Sequence, residues 1–443
     1  MSRRFQITTE WESLGEGSAE ERSCFAAIGI RANEIWFTEG RDALANRLRN
    51  APFLSGYQLA EWFAWNWWRL RWEPRSSSND WDLSHCMANI GGGYIWPNIT
   101  IFSDGRRTAL ISRAGQDRDS SPFRYINDSA AILPSSDFET EIDTFVTQVL
   151  ERLDACGVRE SNLHTLWEEL ARERADSDIA RVRKVEALLG LQPDELDDGT
   201  REAFFVREQE FGEGAIDELA ADQGSNRNSA VVRPDALAAE AKNVGYRTRP
   251  DDAVRLSSTH EPTLGLSSTP AWHVGERLAK ALRAQERLGD DTAITDKTLA
   301  QLISVDQAAL DGSTITSSGI SCLFAEEKNE GRVLLRSKWK TGRRFELARL
   351  LGDFLVEGDG TLHPATRAYT YRQKVQRSFA AELLSPFGAV MNHLQGDFSA
   401  EAQADVANHF KVSELTIRTQ LVNHRILDRD YLDNDAETWQ FAA

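Results

Sequence analysis

One segment, from Arg343 to Pro386, constrains the fold of this chain more than any other. It reads RRFELARLLGDFLVEGDG, then a short loop, then YRQKVQRSFAAELLSP. Five apolar residues of its first part recur at helical spacing: Leu347, Leu350, Leu351, Phe354 and Leu355. This spacing predicts a helix with a stripe facing a core, and Val375, Phe379 and Leu383 share one face of a second predicted helix. Strand-like runs at 320–325 and 333–339 precede the pair.

Residues at fixed positions of both helices form a recognisable frame. They are Phe345, Leu347, Ala348 and Gly352, then Phe379-Ala380-Ala381-Glu382-Leu383-Leu384 and Pro386. This frame resembles the core of the ImmA/IrrE family of bacterial zinc metallopeptidases, over about residues 315–430. The resemblance implies a zincin-like helical core with a small sheet. In that family the first helix carries His-Glu-x-x-His, and the second carries a Glu ligand four residues before the Phe.

The positions that bind zinc and activate water in that family hold other residues here. The two His positions fall on Arg349 and Asp353, the catalytic Glu on Leu350, and the third ligand on Val375. A catalytic zinc needs about three protein ligands and an open position for water. Only Asp353 is a ligand type, and Leu350 cannot act as a general base. The resemblance therefore implies a degenerate pseudopeptidase, for which we expect no catalytic residue, no metal and no cofactor.

Arg349 and Asp353 allow two interpretations. In the first, they form an i,i+4 ion pair across the former metal gap, and Val375 fills the remaining space. In the second, a repurposed cleft binds an anion or an acidic segment of a partner. The segment 331–380 holds 11 Lys or Arg against 4 acids, in a chain of net charge −18. The candidate anion- or partner-binding residues are Arg343, Arg344, Arg349, Arg372, Lys374 and Arg377.

The whole chain predicts an α+β, multi-domain protein with five regions. These are a Trp-rich α+β domain over 1–135, an acidic helical region over 136–222, a linker with loops and a short helix over 223–270, the ImmA/IrrE-like domain over 271–390, and a helix-turn-helix-like region over 391–443. Residues 137–222 hold 24 acids and 9 Lys or Arg. This acidic region is either a solvated helical face or an anion mimic that docks on the basic segment.

Local patterns in the first two regions predict particular elements. Tyr57–Trp72 is apolar nearly all round, which favours a buried helix over a ring-stacking platform. Asn98–Ser112 alternates on both sides of Asp104-Gly105, which predicts a hairpin. Ser136–Glu139 resembles a capping box that opens a helix running to about Ala155. Strand-like runs also occur at 5–9, 24–30 and 34–38.

Residues 398–427 resemble a helix-turn-helix. The pattern predicts a helix to Phe410, a turn at Lys411-Val412, and a second helix capped by Ser413. A DNA reader would place the start of the second helix in the major groove, but that start is Glu414 and the helix carries just Arg418 as a base-reading cation. Residues 391–443 hold 9 acids and 4 Lys or Arg. This charge disfavours a polyanion and favours packing or protein docking.

The remaining features bear on location and on alternative sites. The N-terminus lacks the apolar core of a signal peptide, and no apolar run approaches bilayer length, which predicts a cytoplasmic protein. Four cysteines (Cys24, Cys86, Cys156 and Cys322) form no CxxC pair and predict reduced thiols. The eight histidines show no HxH or HxxxH spacing, so they predict no other metal site. His85 beside Cys86 is a weak catalytic pair.

Three functions follow as hypotheses. The first is a non-catalytic binding or regulatory protein that holds a protein partner in a bacterial stress, toxin–antitoxin or phage-defence circuit, a setting that the resemblance alone implies. The second is an enzyme with non-zinc chemistry in the basic cleft, using Glu357, Asp359 and His363, or Glu382. The third is a DNA-binding transcriptional regulator acting through the C-terminal helix-turn-helix.

Overall fold

The computed structural model describes residues 4–76, 79–115, 121–206, 208–225, 232–257, 269–312, 317–326, 329–358 and 360–428. Within these ranges helices are mixed with small sheets whose strands pair antiparallel, which confirms the predicted α+β class. The chain divides into two compact units. Unit 1 comprises Met1–Leu196 and Gly224–Arg227, and unit 2 comprises Asp197–Gln223 and Asn228–Ala443. Among the described residues, no helix is both long and apolar enough to cross a bilayer.

The elements of unit 1 alternate between short strands and helices. The strands are β1 (Phe5–Trp11), β2 (Phe25–Ala32), β3 (Ile35–Trp36), β4 (Gly40–Asp42), β5 (Arg47–Arg49), β6 (Phe53–Ser55), β7 (Ile99–Ser103), β8 (Arg107–Ser112), β9 (Phe123–Tyr125) and β10 (Ala130–Pro134). The helices are α1 (Ala19–Ser23), α2 (Gly56–Trp65), α3 (Trp67–Trp72), α4 (Asn79–His85), α5 (Ser135–Ala155), α6 (Asn162–Ala175) and α7 (Ser177–Leu188). One sheet has the order β1-β2-β3 with β6 on β2, a second β10-β8-β7, and a third β5-β4-β9.

Most local predictions in unit 1 are confirmed. The three predicted N-terminal strands form β1, β2 and β3, and the predicted hairpin forms β7 and β8 with Ser103 opposite Thr108. Most of the aromatic run is buried as predicted, but Trp65 is exposed. The run splits into α2 and α3 at Asn66, whose side-chain amide donates to the Trp62 carbonyl at 2.9 Å. Such side-chain bonds compete with the helical ladder, which explains the break.

Helices α5, α6 and α7 belong to the core of unit 1, although the sequence placed them in a separate acidic region. Phe138, Phe145 and Leu163 join the same apolar cluster as the strands of β1 and β2. Helix α5 ends at Ala155 as predicted, but it begins at Ser135 after Pro134, with no side-chain cap. The predicted capping box at Ser136 is therefore wrong, because the chain enters the helix one residue earlier.

Unit 2 joins one sheet to a set of helices. Its strands are β11 (Tyr246–Thr248), β12 (Ser321–Glu326), β13 (Glu330–Leu334) and β14 (Leu362–Ala365), in the order β11-β13-β12-β14. Its helices are α8 (Asp198–Phe205), α9 (Glu208–Phe211), α10 (Glu213–Ser225, in this unit as far as Gln223), α11 (Pro234–Val244), α12 (Ala271–Gln285), α13 (Asp296–Leu302), α14 (Ala308–Asp311), α15 (Lys340–Glu357), α16 (Tyr371–Leu384), α17 (Phe387–Leu394), α18 (Ala400–Phe410) and α19 (Glu414–Asn423).

The two motif helices, α15 and α16, face each other at close range. A Cβ at Gly352 would lie 2.5 Å from the ring of Phe379, so glycine permits the helices to approach. On the other side of α16, a Cβ at Gly275 of α12 would lie 2.5 Å from the carbonyl oxygen of Val375. The side chain of Val375 lies in the apolar core of unit 2. Burying such a side chain contributes roughly 1.5–3 kcal/mol.

The C-terminal helices follow the predicted bounds. Helix α18 ends at Phe410, and Lys411 adopts the left-handed conformation with φ 57° that often ends helices. The hydroxyl of Ser413 accepts a hydrogen bond from the Thr416 amide and caps α19. Helix α19 begins with the exposed carboxylate of Glu414.

Candidate functional site

Asp353 lies at the centre of a buried polar network in unit 2. Its carboxylate accepts two hydrogen bonds from Arg372 of α16, at 2.7 Å from Nε and 2.5 Å from Nη2. It also accepts from His363 Nδ1 of β14 at 2.9 Å and from the Gln376 amide at 2.7 Å. Burial by itself raises the pKa of Asp353. The charge of Arg372 and the hydrogen bonds from Arg372 and His363 lower the pKa by a larger amount, so the net shift is downward. The carboxylate is held ionised.

His363 completes this network and has no ring nitrogen left over. Its Nε2 lies 2.8 Å from the Gly360 carbonyl, and its Nδ1 faces the Asp353 carboxylate. Strand pairing explains this position, because β14 runs antiparallel to β12 with His363 opposite Leu323. With both nitrogens directed at oxygen acceptors, the ring cannot serve as a general base in this arrangement.

Arg349 does not pair with Asp353, so the predicted i,i+4 ion pair is wrong. The Arg349 Nη2 instead donates to the Thr366 carbonyl at 2.7 Å and to the side-chain oxygens of Gln373 and Gln376. Arg372 outcompetes Arg349 for Asp353 because it offers two parallel bonds to the carboxylate. Gln376 links the two positions, since its oxygen accepts from Arg349 and its amide donates to Asp353.

The guanidinium of Arg349 is buried without a carboxylate partner. The residue is 3% exposed, its acceptors are all neutral, and its Nε has no hydrogen-bond partner. Burial lowers its pKa well below the usual range, and the positive charges of Arg377 and Arg336 lower it further, whereas the negative charges of Glu346 and Asp353 act in the opposite direction without reversing the shift. A buried charge without a hydrogen-bonded opposite charge is costly, by several kcal/mol.

Arg336 and Arg377 lie close enough to act on this position electrostatically, and Arg367 is linked to both of them. We define the arginine cluster as Arg336, Arg349, Arg367 and Arg377. Burial lowers the pKa of Arg367 and of Arg377, and the charge of Arg336 adds to both shifts. Arg336 donates to the Glu346 carboxylate at 3.2 Å, and Arg377 donates to the carbonyls of Arg367 and Ala368 at 2.9 Å each.

Arg367 is the exposed member of the cluster, and within the described part of the chain its guanidinium forms no ion pair. The sequence-based list of candidate residues omitted Arg336 and Arg367. The fold brings Arg336 within electrostatic reach of both Arg349 and Arg367, and only the net charge of the segment indicated such a cluster.

Two predicted anion-binding residues are structural instead. Arg343 and Arg344 are each 1% exposed. Arg343 donates to the carbonyls of Ala309 and Ser337, and Arg344 donates to the carbonyls of Ile294 and Lys411 and to the Asp296 carboxylate. Their assignment to an open basic cleft is wrong, because both side chains turn inward to fasten neighbouring loops. Lys374, by contrast, is half-buried on α16.

The end of the predicted acidic region meets this basic site within unit 2. Glu218 of α10 accepts a hydrogen bond from the Thr370 hydroxyl at 2.7 Å, and Asp222 accepts one from the Arg367 amide at 2.7 Å. Burial raises the pKa of Glu218 to about 7, although Arg372 and Thr370 act in the opposite direction. The charge of Asp353 adds to the upward shift.

The zinc ion that the resemblance implies does not fit the residues at the former ligand positions. Both oxygens of Asp353 are taken by Arg372, and each also accepts a bond from His363 or Gln376. Leu350 and Val375 lie in the apolar core. The cationic Arg349 would repel a divalent ion. A zinc site needs about three donors that are free to converge, and this arrangement provides none.

The residues proposed for other chemistry do not converge either. Glu382 accepts a hydrogen bond from the Phe387 amide at 3.0 Å and so caps α17. Glu357 lies 3.7 Å from Arg372 Nη1, and Asp359 lies outside the described residues. These placements give the non-zinc enzyme hypothesis no assembled acid–base pair.

In unit 1, His85 and Cys86 diverge. The His85 ring contacts the Ile101 carbonyl at 2.6 Å and the Glu73 carboxylate at 3.1 Å, whereas the Cys86 thiol faces the Asn98 side chain at 3.4 Å. Arg69 donates two hydrogen bonds to the same Glu73. The pair, a weak candidate from the sequence, is therefore not assembled for catalysis, as expected because adjacent side chains usually point apart.

The histidines show no metal-site spacing along the sequence, but two of them meet in the fold. In unit 2, the ring centroids of His393 and His409 are 4.2 Å apart, and Asp291 lies beside both. Spacing along the chain could not reveal this group, since the three residues come from a loop and two separate helices. A sequence signal exists only in the position of each histidine in the last turn of its helix.

No protein-family model, curated protein or solved structure matches this chain. The relation to the ImmA/IrrE family therefore stays a prediction that depends on the two motifs of α15 and α16.

Proposed function

We propose that this protein is a non-catalytic binding protein whose arginine cluster in unit 2 holds an anionic group, a carboxylate or a phosphate, of a protein partner. From the resemblance alone, we extend the proposal to a partner in a bacterial stress, toxin–antitoxin or phage-defence circuit. The former zinc positions supply neither a ligand set nor a base, which supports a binding role over peptide hydrolysis.

The single observation that carries the proposal is the buried guanidinium of Arg349. It has three neutral acceptors, an Nε without a partner, and two like charges close enough to lower its pKa, which the more weakly acting carboxylates of Glu346 and Asp353 do not restore. Planar guanidinium groups recognise carboxylates and phosphates through paired hydrogen bonds. An anion next to the cluster would offset the cost of burying Arg349 and the repulsion from Arg336 and Arg377.

Arg367 is exposed, so a substitution at this position can test anion binding without disturbing the core of unit 2. We expect inorganic phosphate to raise the melting temperature of the full chain and to bind measurably by calorimetry at low ionic strength. Arg367→Glu should weaken phosphate binding at least tenfold, because it replaces an attractive charge with a repulsive one. Lys297→Glu, at an exposed lysine of the same unit, makes the same charge change outside the cluster and should have little effect.

The partner is tested separately. A protein captured from the native host by wild type and by Lys297→Glu, but lost with Arg367→Glu, would support recognition through the cluster. Equal phosphate affinities of Arg367→Glu and Lys297→Glu would show that the cluster does not bind anions, and the proposal would then be abandoned.

A further inference from the structure

A group of side chains of metal-ligand type lies in unit 2 and shares no residue with the arginine cluster. One donor atom each from Asp291, His393 and His409 lies within 4.8 Å of the others, and all three residues are exposed. Asp291 follows α12, His393 is in the last turn of α17, and His409 is in the last turn of α18. Three segments of the chain therefore converge at this point.

The packing orients both imidazole rings. His393 and His409 lie with ring centroids 4.2 Å apart, and each ring meets the buried ring of Phe410 nearly edge-on, at 5.6 Å and 4.7 Å. His393 Nε2 is 2.8 Å from an Asp291 carboxylate oxygen, and His409 Nε2 is 3.0 Å from the Asp291 carbonyl. The three side chains are thus held together before any ligand binds.

We propose that Asp291, His393 and His409 bind a divalent transition-metal ion of the zinc class. Two imidazoles and a carboxylate are a ligand set that zinc accepts, with a fourth position left for water. Donor atoms around tetrahedral zinc are about 3.3 Å apart for bonds of about 2.0–2.1 Å. The donor atoms of the three residues now lie up to 4.8 Å apart. Exposed side chains at helix ends and in a loop can close this distance by shifts of about 1 Å each.

The surrounding backbone favours a cation at this place. Helices α17 and α18 both end here, and the carbonyl groups of a last helical turn carry partial negative charge. Both helices end in residues with left-handed conformation, Gln395 and Lys411, which turn the chain away directly after the histidines. The position therefore combines neutral and anionic donors with two helix C-termini, and no buried cation of the arginine cluster belongs to the group.

Such a metal ion would clamp the loop after α12 to α17 and α18. It would stabilise the docking of the C-terminal helices, since an ion that binds only the folded arrangement favours that arrangement. This role is independent of the proposed anion site and of the lost peptidase positions.

The test is a titration of the metal-free full chain with zinc ions alone, by competition with a chromophoric chelator. We expect one zinc ion per chain at this site, and a loss of affinity of at least tenfold for His393→Asn and for His409→Asn. His164→Asn in unit 1 is the control, because His164 lies 3.6 Å from Asp154 without a second histidine. It should leave the affinity unchanged.

Cobalt substitution adds a spectroscopic readout, because visible absorption bands of a four-coordinate site should appear in wild type and vanish in His409→Asn. Both histidines are exposed, so unchanged circular dichroism spectra will show that the variants are folded. Zinc binding that is equal in wild type and His409→Asn, or no binding by wild type, would overturn the proposal.

Discussion

Each unit of this protein buries an arginine–carboxylate–histidine network, and the two networks share one pattern of bonds. The members are Arg69, Glu73 and His85 in unit 1, and Arg372, Asp353 and His363 in unit 2. In both, the guanidinium donates two hydrogen bonds to the carboxylate. In both, one imidazole nitrogen faces that carboxylate and the other faces a backbone carbonyl.

The surroundings of the two networks differ. The unit 1 network is local and closed, since Arg69 and Glu73 are four residues apart and the ring of Trp81 stacks on His85 at 4.2 Å. The unit 2 network joins α15, β14 and α16, and it lies between Glu218 and the arginine cluster. The same set of bonds is therefore closed in unit 1, whereas in unit 2 it borders the buried guanidinium of Arg349, which forms no hydrogen bond with a carboxylate. Function is better sought in this buried charge than in the network itself.

The largest expected effect comes from removing either carboxylate. Glu73→Gln and Asp353→Asn each leave a buried arginine without its partner, which costs about 3–5 kcal/mol. We expect the smaller loss for Asp353→Asn, because Glu357 and Glu218 remain close to Arg372. Hydrogen exchange of α3 and α16 amides measures the two losses separately. Equal protection in wild type and both variants would contradict a stabilising role for the networks.

The next effect is a difference in pH dependence. Folded Glu218 titrates at about 7, above the ordinary value of 4.5. The folded chain therefore retains a proton that the unfolded chain releases between these values, and the stability of unit 2 falls as the pH rises across this window. Glu218→Gln should remove this dependence and stabilise unit 2 at pH 8 by on the order of 2–3 kcal/mol.

Hydrogen exchange from pH 5 to 8, corrected for the intrinsic rate, tests this. The exposed Glu213→Gln on the same helix is the control. The stability contribution of Glu73 has the opposite pH dependence to that of Glu218. Burial raises the pKa of Glu73, but the hydrogen bonds from His85 and Arg69 lower it below the ordinary value. Its stabilisation is present above about pH 4.5 and is lost as the pH falls further. An unchanged profile for Glu218→Gln would show that Glu218 is ionised throughout.

A smaller effect is expected when the arginine of each network is replaced by lysine, which keeps the positive charge but loses the paired hydrogen bonds of the guanidinium. Arg69→Lys and Arg372→Lys each replace two parallel bonds by one point contact, at a cost of about 1–2 kcal/mol. Urea unfolding followed by tryptophan fluorescence reports mainly on unit 1, since nine of the 13 Trp lie in the first 96 residues. Hydrogen exchange reports on unit 2. Arg113→Lys, at an exposed ion pair, should change little.

The smallest effect on stability belongs to Arg367→Glu, which should change the free energy of unfolding by less than about 0.5 kcal/mol. The residue is exposed although its guanidinium is partly desolvated, and its hydrogen bonds with Asp222 and Arg377 are made by its backbone amide and carbonyl. The same variant is expected to lose phosphate binding. A large destabilisation, measured by urea unfolding, would mean that the cluster is part of the fold rather than a binding surface.

Local pattern was a reliable guide to elements in this chain. Helical spacing predicted α15 and α16, alternation predicted the hairpin of β7 and β8, and α18 ends and α19 begins where the predicted turn at Lys411-Val412 places them. These features depend on neighbours within one element, so a single sequence contains the information. The sequence also showed that Arg349, Leu350 and Val375 cannot hold zinc, because that conclusion needs only the side-chain types.

Tertiary packing decided which polar groups meet. Because of this packing, Asp353 pairs with Arg372 rather than with Arg349. The side chains of Arg343 and Arg344 point inward, and Arg336 and Arg367 join the arginine cluster. The same packing also assembled Asp291, His393 and His409, although His393 is 102 residues and His409 118 residues from Asp291. Periodicity indicates which face of an element a residue occupies, but not which distant element packs against that face. The partners of charged side chains depend on this packing, so the sequence pattern could not predict them.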